Sequence, residues 1–535
     1  MGRPMPTEAL SISQPHRAQE PARAETNLTW RASLNVLQSI LDYSAKLAVS
    51  LVVIPILVGG LGRTLFGVWE MLSRLMGYLE STDGRPTQAL RLVISNLQSE
   101  RDPSSKRRWI GASLRVWGWF LPLWVATGVV VIWLAPTVTK VAPHLHGTVR
   151  IACAVMMVGV LLGGLATLPE SVLRGMNLGY KRMGLQAALS IAGGALLVAA
   201  VYLGTGLIGI AAAGVLAVAL TGACFLLLVR RQVPWFGIER PQRSEVRTLL
   251  QMSLWIAVGD AIAKVLLASD VLVLGVVLSP ATVTTYVLTG YAALLSVNLH
   301  SLAVDSVMPG LAGIIGERSF GRAAMLRREL LAVTILFVSS VGSAILMWNR
   351  SFVHLWVGGE NYAGVWTNLL LVLMAAQTAF IRCDAYIIDA ALQPGRRVRV
   401  SALAAAVGLA LSIILTYYSG MVGLCLGILA GRAIQTVWYP VLVRSCLSSV
   451  SSLPTEWLLR PLVAVTLLFA GSAYLGQHIL IGNWLAWAGV VLLSLSLTLV
   501  ITLQFGLPQD GHVAVRARLE ELARRLRRSR GSPGQ

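Results

Sequence analysis

LDYSAKLAVSLVVIPILVGGLGRTLFGVW, residues 41–69, sets the reading of the whole chain. Asp42 and Lys46 lie four residues apart at the head of an apolar run that turns at glycines and restarts on an aromatic residue. About 20 apolar residues cross a ~30 Å hydrocarbon core as a helix, and this run is long enough. The chain has only five lysines, and Asp260 and Lys264 repeat the pair 218 residues later. A charge near the bilayer centre costs at least ~2.5–3.5 kcal/mol, so it normally faces a partner or a polar cavity. A duplicated Asp-x-x-x-Lys therefore predicts two related halves, each turning an ion pair inward.

The rest of the sequence fits that frame. Hydrophobic residues make up 56% of the 535, charged residues 13%, and the mean hydropathy is +0.70, outside the range of soluble globular chains. Apolar runs of membrane-crossing length recur about fourteen times between residues 33 and 505. The weakest, over 64–81, is interrupted by Glu70, Arg74 and Glu80. The ~10-residue alternation of a transmembrane barrel is not visible. The net charge of +20 is carried mainly by alternate loops, at 101–108, 174–182, 230–247, 318–328, 396–399 and after 515. That alternation is the positive-inside pattern, and it predicts cytoplasmic termini instead of a nucleic-acid partner.

The duplication extends beyond the charged pairs. Residues 61–69 align with 278–286 as a short turn followed by an aromatic helix start, and Gly206-Leu-Ile-Gly209 aligns with Gly420-Met-Val-Gly423. Six spans per repeat is an even number, so both halves enter from one side and share an axis along the membrane normal. The predicted fold is an all-α polytopic membrane protein of about 14 transmembrane helices. Two pseudo-twofold related six-helix bundles surround a central cavity, and two extra C-terminal helices follow. The expected segments are a disordered cytoplasmic tail (1–30), a first bundle (31–230), a linker (231–248), a second bundle (249–446), helices 13 and 14 (457–505) and a basic amphipathic tail (506–535).

Signals of catalysis or metal binding are missing. The five cysteines lie in or beside apolar runs without a CxxC or a histidine cluster, and there is no phosphate loop or G-x-S-x-G elbow. No metal or cofactor is expected.

LGRTLFGVWEMLSRLMGYLESTDGRPTQALR (61–91) and FVHLWVGGENY (352–362) resemble segments of polysaccharide and lipid-linked oligosaccharide flippases, the Wzx-like members of the multidrug/oligosaccharidyl-lipid/polysaccharide exporter superfamily. The loops LRGMNLGYKR and LQPGRR and the glycine-opened sixth and twelfth helices fit as well, over roughly residues 30–505. One departure is Thr82-Asp83-Gly84-Arg85-Pro86, where many relatives read Asp-Leu-Gly-Leu. The break in the helix is kept and a charge is added at its rim.

The resemblance implies export of an undecaprenyl-pyrophosphate-linked glycan across the bacterial inner membrane by alternating access, without covalent chemistry, with H+ or Na+ as candidate coupling ion. Implied partners are the lipid-linked glycan, membrane lipids and other glycan-assembly membrane proteins. Such a substrate needs a hydrated groove with positive charge. Lys46, Lys264, Arg74, Arg85 and Arg382 are candidates to line it. Asp42, Asp260, Glu70, Asp83, Asp270, Asp305 and Asp384 are candidate counter-ions or coupling groups, the first three each placed to hold a cation four residues on. The residues alone leave each Asp–Lys pair open as a structural bridge, and favour Trp69, Tyr286 and Trp356 as interfacial anchors over sugar platforms. Arg115, Glu170, Arg174 and Arg432 fall near helix ends where snorkelling suffices. Two other readings are a cation-coupled drug exporter of the same superfamily and a membrane glycosyltransferase or polymerase. Spans 13 and 14 argue against the first, and the lack of a large outward loop against the second.

Overall fold

The computed structural model describes residues 22–507 apart from 99, 101, 183, 392–393 and 448–454. Thirteen α-helices follow one another, and no strand occurs among the described residues. They are α1 (Ala22–Ser81), α2 (Pro86–Asn96), α3 (Pro103–Val138), α4 (His146–Gly175), α5 (Leu185–Tyr202), α6 (Gly206–Gln232) and α7 (Arg243–Val277). Then come α8 (Pro280–Gly316), α9 (Phe320–Val357), α10 (Val365–Ala390), α11 (Pro394–Cys446), α12 (Thr455–His478) and α13 (Trp484–Ile501). Helix starts follow local chemistry. Asp102 accepts hydrogen bonds from the backbone N–H groups of Ser104 and Ser105 ahead of α3, Ser279 caps α8, and Gln242 and Glu245 form a reciprocal cap on α7. Proline stands at the first helical position of α3 and α8, where its missing N–H costs nothing.

Eleven of these helices are long and apolar enough to cross a membrane. Two of them are double. α1 is broken at Gly62 (φ 73°) and α11 at Gly420 (φ 58°), a conformation that glycine reaches without strain. In α11 the break is a full reversal, because the second arm returns along the first. A Cβ on Gly431 would lie 2.3 Å from the Gly408 Cα, and one on Gly427 would lie 2.5 Å from the Ser412 nitrogen. Small residues at every fourth position of the second arm (Gly423, Gly427, Gly431) allow this approach. With the second arms of α1 and α11, and with α7, the total reaches the fourteen spans expected from sequence. α7 stands apart from the eleven and carries Asp260, Lys264 and Asp270 within its apolar stretch. The all-α polytopic fold is borne out.

The expected tail over 1–30 needs correction. Helix α1 begins at Ala22, and residues 1–21 lie outside the described residues, as does the basic tail after 507. α2 is a short helix between the second and third of the expected spans.

Two sides of the molecule can be told apart. On the glycine-turn side, the Thr284 hydroxyl donates to the Arg63 carbonyl oxygen (2.6 Å), Arg63 donates to Thr285 Oγ1 (2.7 Å), and Lys140 donates to the Val277 carbonyl oxygen (3.3 Å). The basic-loop side is tied by Arg107–Glu239 (3.3 Å) and Arg108–Glu245 (2.9 Å). α7 belongs to both halves. Near its start, Val246 and Leu249 pack with Ala89 and Val93 of α2 and Ala112 and Val116 of α3. Towards its end, Val271 and Leu274 pack with Tyr286 of α8 and Leu424 and Cys425 of α11.

Candidate functional site

Between α1 and α2 the chain turns through Thr82-Asp83-Gly84-Arg85. Gly84 (φ 75°) and Arg85 (φ 51°, ψ 39°) both take left-handed backbone. For arginine that conformation carries a steric cost of ~1–2 kcal/mol. It is held by the Asp83 carboxylate, which accepts from the Arg85 backbone N–H at 2.8 Å. The turn aims the Arg85 guanidinium at the second half of the chain. Its Nε (3.2 Å) and Nη2 (2.8 Å) converge on Oδ2 of Asp260 in α7.

The same Asp260 oxygen accepts from the Ser81 hydroxyl (2.7 Å) and pairs with Lys264 Nζ (3.1 Å). Lys264 also reaches Glu80 (3.5 Å) and donates to the Gly77 carbonyl oxygen. Arg85, Lys264, Asp260 and Glu80 thus form one ion cluster between the halves, its side chains 17% to 46% exposed. Burial pushes the Asp83 carboxyl above its usual pKa, opposed by the hydrogen bond and charge of Arg85. Burial works against the Arg85 charge too, but Asp260, Asp83 and Glu80 outweigh it and hold its pKa above the ordinary value.

The first copy of the pair behaves differently. Asp42 is buried (7% exposed) and accepts from Gln38 Nε2 at 3.1 Å, four residues earlier. Lys46 is exposed and forms no ion pair among the described residues. Asp42 is therefore not the counter-ion of Lys46: no ion pair joins the two, and Gln38 donates to Asp42 Oδ2 from the same helical face. Nor does any described contact bring Lys46 to Lys264. Glu70 and Arg74, also expected to pair, make no hydrogen bond or ion pair with each other, and Arg74 Nε is a buried donor without an acceptor.

Other intramembrane charges find partners in the second half. Asp270 accepts from the Tyr286 hydroxyl at 3.0 Å. Arg382 donates to Ser301, and Tyr386 donates to Asp305. Asp384 is bound by Arg327 through two parallel bonds of 2.7 and 2.9 Å, both side chains under 10% exposed. Arg327 was not singled out from the sequence, since nothing in its spacing points 57 residues ahead. Arg432 is buried, contrary to the snorkelling expected of it, and donates to Thr378 Oγ1 (2.9 Å) and the Leu266 carbonyl oxygen (3.0 Å). Tyr286 and Trp356 are likewise buried, where interfacial anchors were expected. Trp356 stacks on Phe352 and donates to the Leu51 carbonyl oxygen at 2.7 Å, joining α9 to α1.

Two large cavities flank these elements. One, of about 950 Å³, lies against the second arm of α1, α2, α4 and α6, with Ile256 of α7 at its edge. Its polar wall has Glu80, Asp83, Arg85, Arg91, Glu170 and Arg174, and its apolar wall includes Met76, Gly163, Gly214, Val215 and Val218. Glu170 and Arg174, expected only to snorkel, line it as an i,i+4 pair at 2.7 Å. The second, of about 1070 Å³, is a groove between the first arm of α1, α8, α9 and α13. Leu47, Leu51, Leu295, Leu299, Ile345 and Val491 line it, with Tyr43 and Asp305 among its few polar groups and Trp348, Phe352 and Trp487 on its aromatic wall. Of the five candidate cations, Arg85 lines the first cavity. Lys46, Lys264, Arg74 and Arg382 line neither. Asp305 lines the groove.

Among the described residues no group of three or more His, Cys, Asp or Glu side chains is placed to hold a metal. The cavities offer an ionic surface and an apolar surface, which suits an amphiphile.

No family model and no curated protein matches the chain. Solved structures do. The lipid II flippase MurJ in an inward closed conformation superposes with a TM-score of 0.63 at 13% identity, covering 87% of this chain and 97% of that one. An inward-facing multidrug resistance MATE transporter of the MOP superfamily gives 0.59 at 13% identity, covering 77% and 98%. Its outward-facing counterpart gives 0.54 at 14%, covering 78% and 96%. The chain is a multi-pass membrane protein with the fold that these MOP-superfamily flippases and transporters share.

Proposed function

We propose that this protein is an exporter of a lipid-linked oligosaccharide, of the undecaprenyl-pyrophosphate type, working by alternating access for cell-surface glycan assembly. The observation that carries this reading is the apolar groove walled by α13. A polyprenyl tail gains ~25 cal/mol per Å² of apolar surface removed from water, and a groove of about 1070 Å³ offers it a continuous wall. Helices α12 and α13 lie outside the six-helix repeat. The use of α13 as a groove wall supports a lipid-tailed cargo over a compact drug, as does the wider coverage of the chain by the lipid flippase. The charged cavity against α2 supplies the second surface that a pyrophosphate head needs.

The basic loops support a cytoplasmic side at Arg85 and an inner-membrane location with both termini cytoplasmic. In that orientation an anionic head moving outward gains ~2.3 kcal/mol per charge per 100 mV, so voltage alone favours export. Coupling to H+ or Na+ would run through intramembrane carboxylates, of which Glu70 and Asp270 lie where the halves meet.

The test is reconstitution of the full chain in liposomes with a polyprenyl-pyrophosphate oligosaccharide carrying a fluorophore that an impermeant quencher can reach. Protein-dependent transfer between leaflets is expected, together with accumulation of the lipid-linked intermediate in cells depleted of the protein. Transfer no faster than in empty liposomes would sink the reading.

A further inference from the structure

Asp260 Oδ2 is crowded. It accepts from Ser81, from both Nε and Nη2 of Arg85, and from Lys264. A single carboxylate oxygen has about two lone-pair directions, so these donors compete. Arg85, which also reaches Glu80 at 3.4 Å, is the one whose departure leaves Asp260 partnered. Lys264 and Ser81 stay behind to neutralise and hydrogen-bond Asp260, while the Arg85 backbone remains anchored through Asp83.

Arg85 also lines the cavity of about 950 Å³, so a guanidinium released from Asp260 has an open volume beside it. Arg91, one α2 turn further, lines the same cavity and makes no hydrogen bond or ion pair from its side chain among the described residues. α2 begins at this wall with Thr87 and Gln88 facing the cavity and no side-chain cap on its N-terminus. Pro86 has no N–H, and Gln88 and Ala89 donate to the Arg85 carbonyl oxygen, so the Thr87 N–H is the one donor of this first turn left for an anion. Opposite stands an apolar wall, widened at Gly214, where an added Cβ would meet nothing within 4 Å.

From this arrangement we infer that the first-half cavity is a binding site for the phosphate head of a lipid, with Arg85 and Arg91 as its cationic ligands and Asp260 as a built-in competitor that holds Arg85 away while the site is empty. The ligand class, a phosphate-headed isoprenoid, rests on the function proposed above, while the competition rests on the geometry alone. Anion binding moves Arg85 from Asp260 to the phosphate. Lys264 keeps Asp260 neutral, so no uncompensated carboxylate is left behind.

Competition gives the two partners effects of opposite sign. With the purified full chain and farnesyl pyrophosphate as probe, Arg85→Gln is expected to weaken binding by roughly tenfold or more, the scale of one charged hydrogen-bonding group. Asp260→Asn is expected to tighten it severalfold. Arg85→Gln/Asp260→Asn should bind like Arg85→Gln alone. Gly214→Leu, whose Cβ would meet nothing within 4 Å and whose branch would enter the cavity, should weaken binding while Arg85 is intact. Farnesol, without charge, and inorganic pyrophosphate, without a chain, should both bind more weakly than the probe.

Weaker binding in Asp260→Asn with unchanged thermal stability would overturn the competition. Equal affinity for inorganic pyrophosphate would overturn the assignment to a lipid. Because this is a binding measurement, it is separate from transport. Tight, Asp260-opposed binding without transfer in liposomes would leave the site standing and remove the export reading. Transfer without any effect of Arg85 or Asp260 on binding would do the reverse.

Discussion

The Arg327–Asp384 pair and the Arg85–Asp260–Lys264 cluster are both ion pairs in an apolar protein, yet they differ in every respect that governs whether a pair can break. Arg327 and Asp384 are buried at 3% and 8%, lie on neighbouring helices of one half, and match each other with two parallel bonds. The two pair in a buried site. The cluster at Arg85 joins the two halves, is partly open to solvent, and has more donors than its central oxygen needs. The first pair fixes a fold, and the second holds a conformation from which partners can be exchanged.

The largest expected effect comes from breaking the fixed pair. Asp384→Ala takes the two-bond carboxylate from a buried guanidinium and should destabilise the protein by ~3–5 kcal/mol, read as a fall in thermal unfolding temperature in detergent. Replacing both partners, as in Arg327→Met/Asp384→Leu, should restore most of it. If the double variant is as unstable as the single one, Arg327 and Asp384 hold the fold by some means other than their mutual pairing.

The same removal at the seam should read differently. Asp260→Ala is expected to change thermal stability by no more than ~1 kcal/mol, since the pair is part-exposed and Lys264 retains Glu80. Its effect should show in transfer rate, by severalfold. A stability loss as large as that of Asp384→Ala would erase the distinction between the two sites.

Filling the groove tests whether the seam acts on a lipid-tailed cargo. Val491→Trp on α13 should slow transfer of the polyprenyl-linked substrate while leaving the Arg85 cluster and the unfolding temperature nearly unchanged. The smallest effect is expected from Lys46→Ala, because that lysine is exposed and makes no ion pair among the described residues. A Lys46→Ala loss equal to that of Lys264→Ala would restore the equivalence that the duplicated sequence suggested.

That equivalence shows where sequence reading ends. Spans, glycine turns and the break at Gly84-Arg85 are local, and each was legible because apolar length or backbone chemistry specifies it. Partners across the chain are not local. Arg85 and Asp260 lie 175 residues apart, and Arg327 and Asp384 lie 57 apart. A single sequence does not say which helix faces meet. The two Asp-x-x-x-Lys pairs are chemically identical, yet Gln38 claims one aspartate while Arg85 and Ser81 claim the other. Likewise Tyr286 and Trp356 carry the composition of interfacial anchors, and only the packing of α8 and α9 against α1 and α7 buries them. Glu80 was more accessible to reasoning, since an acid just ahead of Asp83 and Arg85 at a helix break marks a dense charge cluster.

α7 has a mechanical consequence. One end is bonded by apolar contacts to α2 and α3, and the other to α8 and α11. It therefore works as a connecting rod between two bodies. Under the proposed alternating access, the rod must flex along its length or let go at one bearing. The charged stretch from Asp260 to Asp270, with the ion pairs of Asp260, is where the rod has partners it can exchange. Stiffening α7 at this stretch should slow the cycle without touching either cavity.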